Sequence, residues 1–199
     1  MIVQIQQEPP SALADYAHVP SAFEVRERFA VITPNAGLGG LHLLAERVVE
    51  PYVKDYDAEP GQHPTAWTAR FDLARWGILT AWADGKRVGG AVVAWDTPGV
   101  EMLEWRSDLA VLWDLRVLPD LRRRGVGTSL FQAAEEWALT RGARWLKVET
   151  QNINVTACRL YARQGCTLGA VHRFAYATLP DEAQLLWYKP LHPRQATAS

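Results

Sequence analysis

Residues Arg122-Arg123-Arg124-Gly125-Val126-Gly127 set a run of guanidinium groups directly beside glycines that flank a single valine. A surface turn needs neither that charge density nor both glycines, whereas a backbone that must approach a phosphate uses both. The residues that follow repeat Val126, Leu130, Ala134, Trp137 and Ala138 at helical spacing, and Gly142 supplies a stop. The loop therefore opens a helix, whose first amides carry a partial positive charge suited to an anion. That gives an anion-binding stretch from Arg122 through Arg123, Arg124, Gly125, Val126 and Gly127 to Thr128. Asp114 and Glu149 stand inside the runs "LAVLWDLRVLP" and "RWLKVET", which otherwise read as buried strands. Each is a candidate general base, or else the partner of an arginine such as Arg116 or Arg144. Asp55, Asp57 and Glu59 cluster in "KDYDAEP", where they either attract a cationic substrate or solvate a loop.

The elements around these residues follow from periodicity. "AFEVRERFAVI" alternates as a half-buried strand, and "LHLLAERVVEPYV" places Leu41, Leu44, Ala45, Val48, Val49 and Tyr52 at the spacing of one helical face, which predicts a helix. Residues 54–64 read as a loop, and "WGILTAW", "ADGK" and "RVGGAVVAW" as a hairpin. After the central strand, the anion loop and its helix come "RWLKVET", a short helix in "NVTACRLYARQG" closed by Gly165, and late strands in "TLGAVHRFAY" and "AQLLWYKPL". The order is mixed α/β with a strand, loop and helix unit at its centre.

Composition narrows the function. A chain of 199 residues with 48% hydrophobic content suits a single domain, and a net charge of -1 offers no global attraction to nucleic acid or to an anionic membrane. No apolar run reaches membrane-spanning length, and the opening residues lack the features of a signal peptide, so a cytoplasmic protein is expected. Cys158 and Cys166 read as reduced thiols, and the 5 histidines show no ligand spacing, so no metal is expected. The 9 tryptophans, among them Trp76, Trp82, Trp95, Trp105 and Trp113, read as core or edge packing, or as the lining of a groove or interface.

Familiar phosphate loops fit poorly. No lysine follows the second glycine as a Walker loop requires, and Leu130 stands where a dinucleotide fingerprint has its third glycine, although Glu149 lies where such a fold places its ribose-binding acid. What remains, Arg122, two residues, Gly125, one residue, Gly127, preceded by "LRVLPD", resembles the GNAT superfamily of acyl-CoA-dependent N-acyltransferases. A second block, with Asn154, Ala157, Tyr161 and Gly165 in "NVTACRLYARQG", is similar to that family's downstream helix, and Cys166 departs from the phenylalanine usual there. "ETQNINVTACRLYARQG", "LLWYKPL" and "PYVKDYD" extend the resemblance, from about Pro51 to Leu191, to streptothricin acetyltransferases and their relatives.

The resemblance implies a mostly antiparallel mixed sheet with splayed middle strands flanked by helices. It implies one domain over residues 1–199, with a substrate-side part at about 20–110, an acetyl-CoA core at 111–191 and a frayed tail at 192–199. Tyr161 is implied as proton donor to the CoA sulfur, the alternative being a packed, hydrogen-bonded phenol. Backbone amides at Leu115, Arg116 and Val117 are implied to align the pantetheine, and Asn154 to contact the cofactor or cap its helix. The implied activity is acetyl transfer from acetyl-CoA to a primary amine of a small cationic molecule such as streptothricin. The implied assembly is a homodimer, which nothing in the residues demands. An acyl-CoA-binding sensor without activity and a dinucleotide-dependent oxidoreductase are the other readings of the same loop.

Overall fold

The computed structural model describes residues 2–192, so the expected tail falls, apart from His192, outside the described residues. In chain order the elements are β1 (Gln4–Glu8), α1 (Leu13–Tyr16), β2 (Phe23–Ile32), β3 (His42–Lys54), α2 (Pro64–Arg70), β4 (Gly77–Ala83), β5 (Lys86–Trp95), β6 (Leu109–Val117), α3 (Val126–Thr140), β7 (Trp145–Gln151), α4 (Val155–Arg163), β8 (Thr167–His172) and β9 (Gln184–Pro190). The chain divides into two compact units: Met1–Ser21, Tyr56–Val148 and Lys189–Ser199 form the first, and Ala22–Asp55 with Glu149–Tyr188 form the second. The class is the expected mixed α/β.

In the first unit β1, β4, β5 and β6 run antiparallel in that order, and β6 then pairs in parallel with the start of β7. The β4–β5 hairpin turns on Asp84 and Gly85, both at positive φ, the geometry that lets a two-residue turn follow the twist of its strands. Beneath the sheet α3 buries Val126, Leu130, Phe131, Ala134, Trp137 and Ala138, the face predicted by its spacing. It packs closely enough that a Cβ on Gly77 would come within 2.5 Å of the Trp137 ring. A second cluster joins Trp67 and Trp76 to Ile78, Val92 and Val111, with Phe71 and Trp113 packed against it. The Trp76 and Trp113 rings are 5.2 Å apart, so these tryptophans serve packing, while Trp105 is exposed. α2 was not anticipated, because its seven residues begin on a proline within a polar run.

In the second unit the segment read as a helix is a strand. β3 pairs antiparallel with β2 from Ile32↔His42 to Phe23↔Lys54. The apolar spacing misled because those side chains share no buried face: Leu44 is 60% and Val49 98% exposed. Val48, Val49, Val53 and a mid-segment Pro51 favour extended backbone, and Arg28 opposite Glu46 adds a cross-strand ion pair of 2.7 Å. Between the pairs Val25↔Tyr52 and Glu27↔Arg47, Arg26 alone on β2 faces residues 48–51 of β3, a bulge that bends the ribbon. β8 and β9 form a further antiparallel pair.

Candidate active site

In the first unit the sequence-predicted residues gather at the end of β6. Its ladder with β7 stops at Leu112↔Val148, while pairing with β5 continues to Gly89↔Val117 across a bulge at Trp113. Leu118 donates its amide to the Val88 carbonyl on the β5 side, 2.9 Å away. Alternation along the strand turns the amides of Leu115 and Val117 toward the other edge and the Arg116 amide toward β5. The expected row of backbone donors is thus Leu115 and Val117, and the expectation of an Arg116 amide is corrected by strand parity.

The Arg116 side chain has a structural task instead. It is 2% exposed and reaches Asp114 through Nε at 2.7 Å, Asp57 through Nη1 and Nη2 at 3.0 and 3.1 Å, and the Val19 carbonyl at 3.0 Å. Tyr16, fully buried, donates its hydroxyl to Asp114 Oδ2 and lies with its ring 5.1 Å from the guanidinium. Burial opposes the arginine's charge, yet Asp114, Tyr16 and Asp57 raise its pKa above the ordinary value. Burial first, and Asp114 second, push the Tyr16 phenol well above its usual range. Both oxygens of Asp114 are therefore engaged, and its expected role as base gives way to the ion pair weighed beside it. Asp57, expected to attract substrate, is likewise held by Arg116 and by the Ser21 amide, while Asp55 stays exposed and Glu59 half-buried.

The anion loop divides its arginines. Arg122 turns inward, donating from Nε to the Val117 carbonyl at 3.0 Å, and burial lowers its pKa. Arg123 and Arg124 are exposed, and Arg123 holds a left-handed φ of 62°. Gly125 caps α3 at φ 90°, and a Cβ there would meet nothing within 4 Å. The first helical bond runs from the Ser129 amide to the Gly125 carbonyl, so the backbone around Val126 and Gly127, with Thr128 half-buried behind it, forms the leading turn. Open space before a helix start, outward arginines and an open strand edge suit a pyrophosphate joined to an extended, amide-bearing arm.

In the second unit Asn154 is the N-cap of α4, its side chain accepting from the Ala157 amide at 3.1 Å, so the capping reading accounts for it. Val155, Cys158 and Tyr161 form the buried face of α4. Thr150 Oγ1 lies 3.3 Å from Cys158 Sγ and accepts from Trp187 Nε1 at 2.9 Å, which fixes the helix one turn before Tyr161. Glu149 accepts from the Tyr176 hydroxyl at 2.6 Å. Neither Tyr176 nor Asn152 was singled out from the sequence. Asn152, 3% exposed, donates to the Phe29 carbonyl at 2.9 Å and accepts from the Ala183 amide at 2.8 Å, joining β2 to the segment before β9. Its neighbours in the Gln-Asn-Ile-Asn run were a signal, but only long-range pairing identifies which asparagine is structural.

The sequence profile of the acetyltransferase (GNAT) family matches residues 41–166. The chain belongs to that family. It is an acetyl-CoA-dependent N-acetyltransferase of the GNAT type. Its relatives include a streptothricin acetyltransferase of Escherichia coli, 33% identical over 90% of this chain and 91% of that one. Among solved structures, a nourseothricin acetyltransferase superposes with a TM-score of 0.74 at 23% identity, covering 96% of this chain and 100% of that one. A Bacillus anthracis protein assigned as a streptothricin acetyltransferase, solved with acetyl coenzyme A, gives 0.73 at 22% identity over 95% and 99% of the two chains. Among the described residues of this GNAT chain, no group of three or more His, Cys, Asp and Glu is placed to hold a metal ion, and no helix is long and apolar enough to cross a membrane.

Proposed function

We propose that this acetyltransferase moves the acetyl group of acetyl-CoA to a primary amine of a small cationic acceptor of the streptothricin type. The observation that carries the donor half is the edge of β6, where the Leu115 and Val117 amides lead into the open helix start behind Arg123 and Arg124. The similarity to the E. coli streptothricin acetyltransferase over nine-tenths of the chain supports the acceptor class. An acetyl donor drawn from central metabolism accords with action in the cytoplasm.

In this reading the amine nitrogen attacks the thioester carbonyl, the C–S bond breaks, and the departing thiolate takes the proton of the Tyr161 hydroxyl. Phenol is protonated at neutral pH and needs no other group to prepare it. Glu149, oriented by Tyr176, is the carboxylate left to accept the proton lost by the amine, since Asp114 is committed to Arg116. Exposed Arg123 and Arg124 hold the pyrophosphate.

The test is thiol release from acetyl-CoA in the presence of streptothricin, for wild type and Tyr161→Phe. Streptothricin-dependent release in the wild type, with kcat lower by roughly a hundredfold or more in the variant, is expected for loss of a general acid. A variant with unchanged kcat refutes the Tyr161 role, and no release with streptothricin refutes the acceptor.

A further inference from the structure

The β3 bulge creates a feature that the acetyl-transfer reading leaves unused. A cavity of about 640 Å³ in the second unit is walled on one side by Arg28, Glu46, Arg47 and Tyr52, and on the other by Asp181 and Glu182. Its polar wall is built: Asn152 grips the Phe29 carbonyl of β2 and the Ala183 amide, fixing Glu182 between them and the ribbon. Glu182 is 7% exposed, and its Oε1 accepts from Lys54 Nζ at 3.3 Å. Its other oxygen, Oε2, is buried and has no hydrogen-bond partner among the described residues.

A buried carboxylate oxygen without a donor costs stability that a bound donor restores. Lys54 serves Oε1 and Arg28 serves Glu46, and Arg47, which also lines the cavity, stands opposite Glu27 in the β2–β3 register. What Oε2 lacks is a donor, and a cation that supplied it would stand beside Asp181 as well. The half-exposed Tyr52 ring beside these carboxylates adds a face that favours a cation.

We infer that this cavity is a binding site for an ammonium or guanidinium group, recognised by Glu182 Oε2 with Asp181 and the Tyr52 ring, and that it holds a cationic part of the acceptor remote from the amine being acetylated. Calling the ligand an acceptor rests on the proposed function; the cation site itself does not.

The experiment titrates wild type, Glu182→Gln and Asp181→Asn by calorimetry with streptothricin and with spermidine, and with acetyl-CoA as the control ligand. The glutamine keeps a carbonyl oxygen for Lys54 and replaces the unpartnered acceptor with an amide donor, so cation affinity should fall at least about tenfold while acetyl-CoA affinity holds. Asp181 is exposed, and its neutralisation should weaken the same probes about two- to fivefold without touching the Lys54 pair. Should Glu182→Gln fail to fold, Asp181→Asn carries the decision. Binding of neither cation by a wild type that binds acetyl-CoA overturns the site, as do equal affinities in all folded variants. Thiol release measured alongside separates the two readings: acetylation of streptothricin with KM unchanged in the variants sinks this site and leaves the proposed function standing, whereas Glu182-dependent cation binding without acetylation does the reverse.

Discussion

Replacing Arg116 by Met removes the cation that two carboxylates share and leaves the volume nearly filled. Asp114 and Asp57 have side chains only 18% and 15% exposed, so water screens them poorly once the guanidinium is gone. Breaking one partner out of a buried ion pair costs about 3–5 kcal/mol, and the residual exposure of these carboxylates argues for the lower end, about 3 kcal/mol. For a chain of this length that corresponds to a fall in Tm of about 6–12 °C. Arg116→Lys should recover only part of it, because an ammonium cannot place parallel donors on both Asp114 and Asp57 as the planar fork does. The decisive variant combines Arg116→Met with Asp57→Asn and Asp114→Asn. If the cost lies in orphaned charge, neutralising both carboxylates restores most of the lost Tm, since buried ion pairs replaced whole are often nearly neutral. Thermal melts followed by circular dichroism at pH 7 read all of this. A single-variant loss below about 1 kcal/mol, or a triple variant no more stable than Arg116→Met, refutes the argument that Asp57 and Asp114 are scaffold.

Other residues give independent checks. Gly125→Ala should cost about 1–2 kcal/mol through its left-handed φ of 90° while meeting no protein atom, yet raise the KM for acetyl-CoA about tenfold or more; an unchanged KM would separate the loop from the donor. Gly90→Ala puts a Cβ 2.3 Å from the Tyr16 ring, so a loss of about 1–3 kcal/mol in urea melts is expected, and none would mean that the ring moves freely. Burial pushes the Cys158 thiol up to about 11 from an ordinary 9.0. The folded state therefore keeps a proton that the unfolded chain releases above pH 9, so this contribution is complete below pH 9 and is lost as pH rises through about 11. That loss, roughly 2–3 kcal/mol in all, should vanish in Cys158→Ala, while a further alkaline loss from the raised Tyr16 phenol persists.

The legible parts of the sequence were those where local pattern and tertiary role coincide. α3 buries the face that its spacing marks, and Gly125 and Gly165 take the positive φ values that their places at a helix start and a helix end suggest. The β3 segment failed the same test because its apolar residues are largely exposed, so their periodicity reported no core at all. What decided its conformation was the register with β2, a long-range fact that no window along the chain contains.

The site residues show the same division with more consequence. Asp114 and Glu149 were equivalent as carboxylates within buried strands, and the choice between base and ion pair turned on what stands opposite each. For Asp114 the partners are Tyr16, distant in sequence, and Arg116 two residues on; for Glu149 it is the phenol of Tyr176. Asp57 changed meaning for the same reason, from a solvated loop acid to the second anchor of a buried guanidinium. An acidic residue named from sequence is thus a charge without an address. The arginine fork at position 116 supplies two of those addresses, which leaves Glu149 as the carboxylate on which a base assignment can be tested. Glu149→Gln should lower kcat at neutral pH and leave Tm nearly unchanged, because it keeps an oxygen for the Tyr176 hydroxyl. A kcat equal to wild type across pH 6 to 9 would mean that the amine loses its proton without help from this carboxylate.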